Sequence, residues 1–109
     1  MTDHGYSQVR RYNKLVRDKI PNLLESLGKP YKIHVADDAE FRQKLVQKLE
    51  EEVAEYVVSA SPGELADIAE VILALAELHD LNAQQLEGLR IKKATERGGF
   101  AKRIILEES

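Results

Sequence analysis

"KLEEEVAEYVVSASPGELAD", residues 48–67, decides how this chain folds. It sets Glu50, Glu51, Glu52, Glu55, Glu64 and Asp67 among Leu49, Val53, Tyr56, Val57 and Leu65. In its middle, "SPGE" breaks one helix and starts another. Ser61 suits an N-cap, Pro62 the first helical position and Glu64 the third. A connection this short makes the two helices antiparallel neighbours, and the open question is where their acids point.

An α-helix turns about 100° per residue. The first long helix begins at Asp37 or Asp38 as N-cap, with Glu40 in its first turn. With Leu49 as zero, Leu45, Val53, Tyr56 and Val57 fall within roughly 80° and form an apolar stripe. Glu50 and Glu51 point away, at about 100° and 200°, and read as surface. Glu52 and Glu55 lie at about −60° and −120°, on one flank of the stripe. In the second helix, with Val71 as zero, Ile68, Leu75 and Leu78 fall within about 60°. Glu64 and Asp67 lie at about 20° and −40°, on the apolar stripe itself. Glu70 and Glu77 fall on an ordinary solvated flank. Leu65, Ala69, Ile72, Leu73 and Ala76 cover much of the remaining circumference, the pattern of a helix buried on several sides.

Carboxylates on an apolar stripe must be neutralised or exposed. One reading makes Glu64 a capping-box residue and Asp67 an acid favoured by the helix dipole. The other joins the two pairs, each spaced i, i+3 near the helix–helix seam. Four convergent carboxylates without His or Cys suit a hard cation, Mg²⁺ or Mn²⁺ as a substitute. On this reading Glu52, Glu55, Glu64 and Asp67 are aimed at metal.

Around this hairpin the chain is mostly helical. "RYNKLVRDKIPNLLESLGKP" (11–30) holds a short helix ending at Gly28. "YKIHV" (31–35) reads as a short strand or extended segment. "DLNAQQLEGLRIKKATERGG" (80–99) predicts a helix capped by Asn82 and stopped at Gly98-Gly99. "FAKRIILEE" (100–108) reads as a strand. Residues 1–10 read as a flexible tail and 11–109 as a single domain.

Bulk properties narrow the function. The chain has 109 residues and a net charge of −3, which argues against a protein that coats nucleic acid. It has no cysteine, which excludes disulfides, thiolate chemistry and Cys-ligated zinc. Neither a P-loop nor a Gly-x-Gly-x-x-Gly motif is present, and no serine-hydrolase nucleophile turn. The polar start "MTDHGYSQVRRYNK" has no apolar signal region. The most apolar stretch, "LADIAEVILALAEL", carries three acids and is too short to span a bilayer. A cytoplasmic location, with no membrane partner, is the expectation.

"EVAE" (52–55) followed by "ELAD" (64–67) resembles the paired acidic motif of the all-α nucleoside triphosphate pyrophosphohydrolases, the MazG-like superfamily. "YNKLVRDKIPNLLE" (12–25) and "ERGGFAKRIIL" (96–106) resemble its phosphoribosyl-ATP-pyrophosphohydrolase-like branch of predicted house-cleaning enzymes. The resemblance implies an all-α, MazG-like helical bundle with short N- and C-terminal extended or β segments, its helices pairing in a homodimer or a higher homo-oligomer. It implies Mg²⁺ held by Glu52, Glu55, Glu64 and Asp67. It also implies hydrolysis of a nucleoside triphosphate to monophosphate and pyrophosphate, with Glu52 or Glu55, and behind them Glu51, activating water. Lys14, Arg17, Lys92, Lys93 and Arg97 are the expected phosphate contacts, and Asn13 a base or sugar contact. The rivals are a phosphoribosyl-ATP substrate, a helical module that binds nucleotide or metal without turnover, and a plain helical assembly protein.

Overall fold

The computed structural model describes residues 11–109, and the expected N-terminal tail, residues 1–10, lies outside them. Four helices follow one another: α1 Ile20–Ser26, α2 Asp38–Ser59, α3 Pro62–Leu78 and α4 Ala83–Arg97. The described residues contain no strand. None of their helices is long and apolar enough to cross a membrane.

Local chemistry sets each boundary. Pro21 occupies the first turn of α1, where a missing N–H costs nothing. At its end Gly28 takes φ +69, and Lys29 N–H donates to the Leu24 carbonyl at 2.9 Å, closing the last turn. Asp37 caps α2, its side chain accepting from Glu40 N–H at 2.8 Å. Ser61 caps α3 through Gly63 N–H at 3.2 Å. Asp80, at φ +59, makes the turn after α3. Asn82 and Gln85 form a reciprocal capping box at the start of α4, and Gly98 ends that helix at φ +84.

The α2–α3 hairpin is the centre of the molecule. Only Ala60 and Ser61 separate its helices. Ala60 reverses the chain in the left-handed region, φ 51, with its N–H on the Tyr56 carbonyl at 2.7 Å. A non-glycine residue there costs about 1–2 kcal/mol, partly offset because glycine loses more freedom on folding. Ala60→Gly is therefore expected to stabilise the protein by about 0.5 kcal/mol. Urea unfolding measures it, and a destabilised variant would refute the strain.

The packing departs from the expected stripe in a regular way. From Phe41 onward the covered side chains of α2 are Phe41, Lys44, Leu45, Lys48, Leu49, Glu51 and Glu52. That face is centred about 90° away from Leu49. Val53, Tyr56 and Val57, expected in the core, are exposed at 44%, 36% and 76%. On α3 the stripe is as expected, with Val71 buried and Glu64, Asp67, Ile68, Leu75 and Leu78 half-buried. On the other sides of α3 Ala76 is buried, while Leu65, Ile72 and Leu73 are exposed. Periodicity locates an apolar stripe but does not say which neighbour covers it. Here the neighbour within the chain meets the acid-bearing flank of α2 instead.

Both extended segments also stand open. "YKIHV" is extended without a ladder, tethered where His34 Nε2 lies 2.9 Å from Glu40 Oε1. The expected strand 100–108 does not form. The chain turns at Phe100, whose carbonyl accepts from Arg103 N–H, and Ile104, Ile105 and Leu106 remain exposed. A strand needs a partner for its backbone groups, and this segment has none among the described residues.

Among the described residues, only Leu45, Val71 and Ala76 are buried apolar residues. The accessible surface is 9923 Å². A compact monomer of 12.3 kDa exposes about 6,100 Å². The radius of gyration is 19.1 Å, against about 13 Å for a compact chain of this length.

Candidate metal centre

The α2–α3 seam collects carboxylates. Glu52, Glu64 and Asp67 each bring an oxygen within 4.8 Å of the others, and Glu51, Glu52 and Glu55 do the same. Glu52 belongs to both groups. The two-residue connection is the cause, since it sets the first two turns of α3 beside the last turns of α2.

Glu52 is the most informative residue. It is only 5% exposed and is the one buried charged side chain among the described residues. Lys48 Nζ, one turn earlier on α2, sits 3.2 Å from Glu52 Oε1. Glu52 Oε2 is fully enclosed and has no hydrogen-bond partner, and Glu64 Oε2 is in the same condition. Glu64 therefore does not cap its helix: Ser61 takes that role alone, and the Glu64 carboxylate faces the seam. Two enclosed carboxylate oxygens without donors are costly, and a cation that reached them would offset that cost.

Glu55 lies at the outer edge. Its carboxyl is held above the ordinary carboxylate value, first by repulsion from Glu52, then by burial, then by hydrogen bonding with Glu64. A carboxyl raised in this way favours the folded state below its unfolded value, and that contribution is lost as pH rises through the raised one. The cluster is thus in tension at neutral pH unless positive charge enters it.

Part of that charge comes from the segment ahead of α1. Asn13 takes φ 45, a conformation asparagine tolerates, and its carbonyl accepts from Lys44 Nζ at 2.6 Å. Lys14 Nζ reaches Glu51 Oε1 at 3.2 Å and lies 5.6 Å from the centre of the Tyr12 ring. Arg17 Nη2 donates to Asp67 Oδ1 at 2.7 Å. This arm crosses the acid seam from α2 to α3. Beside it, Glu51, Ala54, Glu55, Val58, Ser59 and Glu64 line an open groove of about 480 Å³.

The expected site residues thus divide. Glu52, Glu55, Glu64, Asp67, Lys14 and Arg17 are brought together. Asn13 is present through its backbone. Lys92, Lys93 and Arg97 stand exposed on α4, outside the ion pairs of the seam. One participant, Lys48, was not expected, and a second changes its part: Glu51, read by helix phase as pointing outward and by the resemblance as the weaker water-activating acid, is half-buried and paired with Lys14, because the covered face of α2 is rotated towards it. Lys48 enters the cluster as the counter-ion of Glu52, and its i, i+4 spacing to that acid was the available signal.

Comparisons with protein-family models, curated proteins and solved structures found no match to this chain.

Proposed function

We propose that this protein is a Mg²⁺-dependent, MazG-like nucleoside triphosphate pyrophosphohydrolase that works as a homodimer. The supporting observation is Glu52, whose enclosed Oε2 has no donor and whose carboxylate brings an oxygen within 4.8 Å of those of Glu64 and Asp67. An all-oxygen donor set with bare buried lone pairs fits a hard cation. Glu52, Glu64 and Asp67 would hold it, with Glu55 at the edge. Such an ion, when bound, neutralises phosphate charge and acidifies bound water.

The chain's own residues divide the remaining work. Glu55 borders the open groove beside the acids that would hold the ion, so its carboxylate takes the proton of the attacking water. Glu52 is fixed by Lys48 and holds its position. Lys14 and Arg17, at the rim, offer charge-assisted hydrogen bonds to phosphate oxygens. The groove gives the nucleotide room beside the acids.

The homodimer rests on the open apolar faces. The surplus surface is roughly 3,800 Å² per chain. That far exceeds the half-share of a standard interface, about 800 Å², and is on the scale of obligate assemblies.

The test is direct. Purified protein with Mg²⁺ and a panel of triphosphates should release pyrophosphate, and orthophosphate release would mean a different reaction. Binding without turnover would leave a nucleotide-binding module. Mg²⁺ at about a hundred times its Kd should also stabilise the wild type by about 2.7 kcal/mol, and Asp67→Asn should lose most of that gain. If the ion leaves the melting temperature of both proteins unchanged, the acids are structural.

A further inference from the structure

The acid seam already holds two cations of the chain itself, and their settings differ. Lys48 is carried on α2, its side chain 18% exposed and fixed by the helix between Glu51 and Glu52. Arg17 stands in the irregular segment ahead of α1. Its side chain is 57% exposed, and that of its partner Asp67 is 40% exposed. Ion pairs this open are weak and exchangeable.

Asp67 also shares a cluster with Glu52 and Glu64, whose enclosed Oε2 atoms have no donor. A divalent cation arriving at those two oxygens meets a third ligand already engaged by a guanidinium. Two positive charges on one carboxylate repel, and the exposed, unanchored one is the one that can leave.

We propose that Arg17 is a resident counter-ion of Asp67, displaced by the entering divalent cation and then transferred to the phosphate chain of the nucleotide. The inference rests on the metal and triphosphate reading above and adds an order of events to it. The cation alone must evict Arg17. A nucleotide gives the evicted guanidinium a new anionic partner, which it can engage with two parallel hydrogen bonds. Metal and nucleotide therefore tighten each other's binding, reciprocally. Arg17 acts here as a positioning residue whose signature is this coupling.

Calorimetric titration of Mn²⁺ into the full chain, with and without a non-hydrolysable triphosphate, reads the exchange. Arg17→Ala should bind Mn²⁺ alone about three- to fivefold more tightly than wild type. The analogue should tighten Mn²⁺ binding about tenfold in wild type and much less in the variant. Lys19→Ala removes the same charge two residues away and should change neither quantity. Equal or weaker Mn²⁺ binding by Arg17→Ala, or unaltered coupling, overturns the exchange while leaving the metal site standing. An equal gain in Lys19→Ala would reduce it to net charge and also overturn it. Absence of Mn²⁺ binding in every protein removes the site and the exchange together. Mn²⁺ binding with the expected coupling but no pyrophosphate release supports the exchange and defeats only the hydrolase.

Discussion

Glu52→Gln is expected to lower Mg²⁺-dependent pyrophosphate release by about a thousandfold, since the ligated ion supplies several kcal/mol of transition-state stabilisation. The substitution keeps the side-chain volume and removes one charge from the enclosed position. Two changes in the metal-free protein then oppose each other. Lys48 loses the acid 3.2 Å away, which destabilises a largely covered ammonium. Glu55 loses its principal source of repulsion, which stabilises the cluster. Metal-free stability should consequently move by no more than about 1 kcal/mol. Steady-state kinetics and denaturant unfolding together decide the matter. Turnover near the wild-type rate would show that Glu52 is a buried structural acid. A collapse of stability would show that its role is to hold Lys48.

The second large effect concerns the outer faces of the hairpin. Sedimentation equilibrium should give a mass twice 12.3 kDa for the wild type. Val57→Asp on α2 and Ile72→Asp on α3 each place a charge on an apolar side that the chain itself leaves open. Each variant should sediment as a monomer with a melting temperature lowered by at least about 10 °C, because three buried apolar residues are a meagre core for one chain. A pair of variants that retain the wild-type mass and melting temperature would show that these faces bind nothing.

Much of the hairpin was legible from particular residues. Asp37, Ser61, Pro62, Asn82 and Gly98 mark helix ends through backbone chemistry that acts locally, so the sequence states it directly. Glu64 and Asp67 fall on the α3 stripe for the same reason, since phase within one helix needs no knowledge of neighbours. The face of α2 could not be read in that way. Two flanks competed, one apolar through Val53 and Val57, one acidic through Glu52. The choice was settled by α3 and by Lys14, which reaches Glu51 from the segment ahead of α1. The segment 100–108 has the composition of a strand, but strand formation depends on a partner edge that no local pattern reveals. Lys48 was overlooked because a lysine one turn from a glutamate is ordinary on a helix surface, and only burial makes it distinctive.

The two-residue link at Ala60 and Ser61 has a temporal consequence. All the carboxylates of the seam come from one helical hairpin, so they meet through a short-range closure that is fast by nature. The clamp of Arg17 on Asp67 spans 50 positions and waits on a much longer loop. The acidic nest should therefore exist, open and strongly attractive to ions, before the arm arrives to shield it. On the proposed metal reading, a divalent ion present during synthesis would meet these acids before the arginine does.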